Sequence, residues 1–180
     1  MGSLLGCASL SSQGQPAGGA EGASIVVRNA DGTRSVRYPT LQAAADAIAP
    51  GQVCVITGAI SQSATFNAHD ITIMGSGKGN ALAGTLTDKL HDAITADGKG
   101  MLVLNGANIK VRNLELSGAV PSLNANGDNA TAAIRYLGRD IALQNCHIHD
   151  CNDGILGGNS NTGDCLIDGC HFFNCGDGTG

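Results

Sequence analysis

The side chains best suited to chemistry lie in two copies near the end of the chain. Cys146-His147-x-His149-Asp150-Cys151 is followed 24 residues later by Cys170-His171-x-x-Asn174-Cys175. Seven cysteines in 180 residues is a high count, and five of them lie between 146 and 175. Thiols can bind metal, pair as disulfides or pack as small hydrophobes. The Cys-x4-Cys spacing is not the Cys-x2-Cys of zinc knuckles. Histidine and carboxylate side chains can hold a metal through imidazole and oxygen. The run Asp150, Asn152, Asp153, with Asp177 further on, is rich in oxygen ligands, but Asn-Asp and Asp-Gly are also ordinary turn formers.

The repeat dictates what must position these groups. Asp140 to Gly154 aligns without a gap on Asp164 to Gly178. Weaker copies begin at Asn108 and Asp70, so the starts are separated by 38, 32 and 24 residues. A fixed period in this range marks a repeat architecture, and each unit holds short alternating strands. Stacked parallel β coils are therefore expected. The surplus residues of the longer units must leave as loops, at Gly77 to Gly100 and Pro121 to Asn129.

Alternation within the strands points Cys146, Cys165 and Cys170 inward with Ile148, Ile167 and Phe172, and His147, His149 and His171 outward. His147 and His171 then stack above Glu115, either as a metal site or as a solvated ladder. In-register neighbours lie about 4.8 Å apart, so a Cys146–Cys170 disulfide is also conceivable, with Cβ atoms wider apart than a relaxed bridge prefers. Cys151 and Cys175 are expected in turns. Lys110, Arg112 and Arg139 read as solvated surface, or as a basic face for an acidic sugar.

Upstream, Ser24 to Arg28 and Arg34 to Tyr38 flank Asp31-Gly32 and read as a hairpin. Thr40 can cap a helix whose Leu41, Ala44, Ala45 and Ile48 share one face, ended by Pro50-Gly51. The series Leu41-Gln42-Ala43-Ala44-Ala45-Asp46-Ala47-Ile48, Pro50-Gly51-Gln52-Val53 and Ile109-Lys110-Val111-Arg112-Asn113-Leu114-Glu115-Leu116 resembles the pectate-lyase-like superfamily. The resemblance covers about residues 24–180.

That resemblance implies an all-β fold, a right-handed parallel β-helix with an N-terminal capping helix. Each coil would have three strands. Ile141 to Gln144 is strand two, Cys146 to Asp150 strand three and Gly154 to Leu156 the next strand one, reached by a loop around Cys151 to Asp153. Thr131 to Tyr136 is the preceding strand one. Asn113 and Asn145 would begin an asparagine ladder that Gly169 breaks. The superfamily includes lyases in which carboxylates at the strand-three to strand-one loop hold Ca²⁺, and an Arg or Lys removes the proton beside a uronate carboxylate. Mapped here, the catalytic set is Arg135, His149, Asp150 and Asp153, and the metal set is Asp150, Asp153 and Asp177.

The remaining expectations concern setting. The net charge of −5 with no basic run gives no support for a nucleic-acid partner. No stretch is long enough to span a membrane. Leu4-Leu5-Gly6-Cys7 resembles a bacterial lipobox and precedes a Gly/Ser/Pro-rich tether, Ser11 to Gly22. Residues 1–22 are thus read as lipobox remnant and tether. Residues 23–180 are read as the β domain, with hairpin and capping helix over 23–50 and coils over 51–180. The native chain is expected to extend beyond both ends. The functional expectation is a monomeric bacterial protein, extracellular or periplasmic, either secreted or lipid-anchored through Cys7 as an outer-membrane lipoprotein. The resemblance implies that it acts on, or binds, polysaccharide, as a lyase or related carbohydrate-active enzyme. The competing expectation is a non-catalytic adhesion or structural β-helix.

Overall fold

A computed structural model describes residues 22–77, 89–91, 100–120, 131–158 and 163–176. Cys7, Asp177, the segment Pro121 to Asn129 and most of Gly77 to Gly100 lie outside the described residues. The chain is mostly β, in parallel sheets, with one helix among the described residues.

In chain order, β1 (Ser24–Asn29) and β2 (Ser35–Tyr38) precede α1 (Leu41–Ala47). There follow β3 (Gln52–Thr57), β4 (Ala59–Ile60), β5 (Ala64–Phe66), β6 (Thr72–Gly75), β7 (Lys89–His91) and β8 (Gly100–Leu104). Next come β9 (Lys110–Arg112), β10 (Glu115–Ser117), β11 (Ala132–Tyr136), β12 (Ile141–Gln144) and β13 (His147–Cys151). β14 (Asp153–Gly157), β15 (Cys165–Asp168) and β16 (His171–Cys175) complete the described strands.

From β3 onward the chain visits three sheets in rotation. The first sheet runs β15-β12-β9-β6-β3-β1-β2, the second β16-β13-β10-β7-β4 and the third β14-β11-β8-β5. Thr72 pairs with Lys110, Lys110 with Ala142, and Ile141 with Cys165. These registers are the 38-, 32- and 24-residue steps of the sequence repeat. Surplus chain is therefore absorbed between strands and never shifts their pairing.

Left-handed corners make the rotation possible. Asp70, Asn108 and Asp140 precede first-sheet strands with φ of 55–59°. Asn113 and Asn145, and Gly169 above them, turn the chain into the second sheet, with φ of 51–60°. Gly118, Asp150 and Asn174 form a third column, with φ of 80°, 51° and 52°. Only Gly, Asn and Asp occupy these columns, because other side chains tolerate this conformation poorly. The Asn108 amide donates to Asp70 Oδ1 at 2.7 Å, so the corners also bond along the stack. Gly169 has no side-chain amide to extend such a ladder, and a Cβ there would lie 2.5 Å from Asn145 Oδ1.

The third corner corrects the sequence reading. Only Asn152 separates β13 from β14, so the loop expected over Cys151 to Asp153 is a single residue. Cys151 and Cys175 lie in strands and pair in register rather than sitting in turns. The left-handed turn at Asp150 makes the loop unnecessary.

At the start, β1 and β2 form the expected hairpin, with Ile25 opposite Tyr38 and Arg28 opposite Ser35. β1 also adds antiparallel to β3, with Ile25 opposite Ile56, which covers that edge of the parallel sheet. Thr40 Oγ1 accepts the Ala43 amide at 3.1 Å and caps α1. Leu41, Ala44, Ala45 and Ile48 are buried against the same core as Phe66 and Ile73. That core continues inside the three sheets through Leu104, Val111, Leu116, Leu143 and Ile148. Fully burying a side chain of this size contributes about 1.5–3 kcal/mol.

Candidate functional site

A hydrogen-bonded cluster of ionisable groups lies on the second sheet. Alternation along β13 buries Ile148 and turns His147 and His149 the other way. Glu115 on β10 pairs with His147, and Ser117 with His149. The Glu115 side chain nevertheless reaches His149, with Oε1 at 3.0 Å from Nε2. On the other side His149 Nδ1 lies 2.6 Å from Asp150 Oδ2. Asn174, one coil on, donates its side-chain amide to Asp150 Oδ1.

Two carboxylates thus grip one imidazole. Burial alone would lower the His149 pKa, but hydrogen bonds to Asp150 and Glu115 outweigh it and hold the ring above its ordinary value. Hydrogen bonds from His149 and Asn174 hold the Asp150 carboxyl below its ordinary value. As an imidazolium, His149 donates from both nitrogens. With both occupied, it has no free lone pair with which to accept a substrate proton, so this geometry gives it an anchoring role. Burial and the neighbouring His171 hold His147 below its ordinary value.

The same face carries aromatic contacts. Phe173, in register with His149, stacks on its ring at 4.5 Å between centroids and 7° between planes. His147 and His171 meet edge to face at 5.6 Å, and His171 lies 5.0 Å from Phe173. Phe173 keeps 42% of its surface exposed.

Arg135 and Asp153 are placed elsewhere, on the third sheet. Arg135 pairs with Val103 below and Leu156 above, and Asp153 pairs with Ala132. The Asn152 side chain donates to Asp153 Oδ2 at 3.3 Å. Arg135 Nε is buried and has no hydrogen-bond partner among the described residues. No hydrogen bond or ion pair among the described residues joins Arg135 or Asp153 to His149 or Asp150. The four residues mapped as one catalytic set therefore divide between two sheets. Asp177, the third mapped Ca²⁺ ligand, lies outside the described residues. Among the described residues, no group of three or more His, Cys, Asp and Glu side chains is arranged to hold a metal ion.

Sequence reasoning placed Glu115 beneath His147 and His171, and missed its link to His149. Register alone does not reveal a side chain leaning diagonally to the next outward position. The stacking of His149 on Phe173 was available from the 24-residue offset. No helix among the described residues is long and apolar enough to cross a membrane. No protein-family model matches this chain, and neither does any curated protein or solved structure.

Proposed function

We propose that the chain is a right-handed parallel β-helix of the pectate-lyase-like kind, secreted or lipid-anchored, and that it engages polysaccharide. The observation that carries this reading is the outer face of β10, β13 and β16. There the part-exposed Phe173 ring lies beside the His171 ring and stacks on His149, whose nitrogens are held by Glu115 and Asp150. A sugar ring offers an apolar face bordered by hydroxyls, and an aromatic plane beside polar groups complements both. The rotation of the chain through three parallel sheets supports the fold part of the reading.

Within this reading, a lyase would use Arg135 as base or carboxylate clamp, with Asp150, Asp153 and Asp177 as Ca²⁺ ligands. The second reading, a non-catalytic surface β-helix, is favoured by the division of Arg135 and Asp153 from His149 and Asp150. One experiment separates them. The intact chain is titrated against uronate-containing and neutral glycans, with binding and the release of unsaturated product both followed. Binding that weakens at least tenfold in Phe173→Ala supports glycan engagement at this face. Product formation abolished by Arg135→Ala at unchanged Tm supports the lyase. If the intact chain binds no glycan in the panel, the polysaccharide reading fails and the structural one stands.

A further inference from the structure

The cysteines present a second chemistry, independent of any glycan. All six described cysteines are free. Cys146 and Cys170 occupy the same place in successive coils, each one residue after a left-handed corner, at Asn145 and Gly169. The pairing of His147 with His171 fixes them side by side. The Cys146 amide donates to the Cys170 sulfur at 3.5 Å, while the Cys146 thiol lies against the Val111 and Gln144 carbonyls and the Cys170 thiol against that of Asp168. Cys146 is fully buried, whereas Cys170 is partly exposed. An incoming reagent therefore meets Cys170 first and finds Cys146 directly behind it.

We propose that Cys146 and Cys170 are a redox-active pair, oxidised by small disulfides to an intrachain bridge that staples β15 and β16 to the coil beneath. The Cys170 thiolate attacks one sulfur of the small disulfide, forms a mixed disulfide and expels one thiolate. The Cys146 sulfur then attacks Cys170 Sγ, expels the second thiolate and gives up its proton to it. The protein loses two electrons and two protons, and the small disulfide leaves as two thiols.

The surroundings favour Cys170 as the entry point. The adjoining Cys146 thiol, helped by the Cys146 amide bonded to its sulfur, draws the Cys170 thiol down to about 7. Burial raises Cys54 to about 12 and Cys151 to about 11, and burial also raises Cys165. Bridging requires the Cβ atoms to close by about 1 Å from the normal strand spacing.

Incubating the reduced full chain with oxidised glutathione, then mapping peptides by mass spectrometry under non-reducing conditions, tests this. Glutathione should appear first on Cys170 and give way to a Cys146–Cys170 link. Hydrogen exchange across β15 and β16 should then slow at least tenfold. In Cys146→Ser the glutathione adduct on Cys170 should persist. The wild-type time course reads the same order if that variant does not fold. An unreacted Cys170, an adduct that never resolves in the wild type, or a Cys170 link to Cys165 or to a second chain would overturn the proposal.

Discussion

Leu143 and Ile167 occupy the same position one coil apart, yet Leu143 is fully buried and Ile167 is 47% exposed. The contrast extends to whole regions. Around β3 to β6 the core is covered, by α1 and by the β1–β2 hairpin added to the sheet edge. In the coil of β15 and β16, Leu166, Ile167 and Phe173 are exposed, and no described strand pairs on the far side. Both regions use the same corners and the same inward pattern. Burial of an inward-facing residue thus depends on the strand paired beside it as much as on the residue itself.

The sharpest test of that comparison is the same truncation at both ends. Phe66 is fully buried against α1 and the core, so Phe66→Ala should cost about 3–5 kcal/mol. Phe173→Ala should cost under about 1 kcal/mol, as expected for a half-exposed ring. Urea unfolding measured on both variants decides it; equal losses would mean that the outer coil is as tightly held as the inner one. Closing the 24-residue loop between Cys146 and Cys170 should narrow the difference by roughly 3 kcal/mol on the chain-entropy account. The readout is the unfolding of β15 and β16, oxidised against reduced, by hydrogen exchange.

A smaller effect probes the covered end alone. Thr40→Ala removes the cap on α1 and should cost about 1 kcal/mol, with loss of protection at the Ala43 amide. Little change would mean that packing of Leu41 and Ala44 holds the helix without its cap.

The smallest expected effect is one of pH, at the exposed end. The fold favours charged His149, so its contribution is complete below the unfolded value of about 6.5 and is lost as pH rises through the raised folded value. The fold also favours charged Asp150, so its contribution is present above the unfolded value near 3.8 and is lost as pH falls through the lowered folded value. The pair should hold β13 and β16 best between those two unfolded values. Titration of the His149 ring by NMR, in the wild type and in Asp150→Asn, tests this. An unchanged His149 pKa in the variant would refute the coupling.

Much of the positioning was legible in the sequence. The 38-, 32- and 24-residue steps are the strand registers, because pairing in a stacked array forces equivalent residues above one another. Thr40 and the face of Leu41, Ala44 and Ile48 were legible because capping and helical spacing are local rules. The antiparallel pairing of β1 with β3 was not, since it is decided by which edge needs covering. Nor was the role of Gly138, where a Cβ would lie 1.8 Å from the Gly106 carbonyl oxygen. That constraint exists only once two corners are stacked. The candidate site was read less well. Asp150 has the composition of a ligand, but its backbone makes a corner and its side chain is engaged by His149 and Asn174. Asp153 is adjacent to that run in sequence, yet the single-residue turn at Asn152 carries it onto the third sheet, where Arg135 lies on the preceding strand β11.

The columns of Asp, Asn and Gly at the corners bear on ancestry. Where every coil re-enters the sheet through the same left-handed hinge, a segment can be inserted, deleted or duplicated between hinges while the strands on either side keep their partners. The unequal spacings from Asp70 to Asn108 and from Asn108 to Asp140, followed by the near-copy at Asp164, are the pattern that such editing would produce. Diversification can then proceed one coil at a time, with new loops tried against a frame that does not have to be refolded around them.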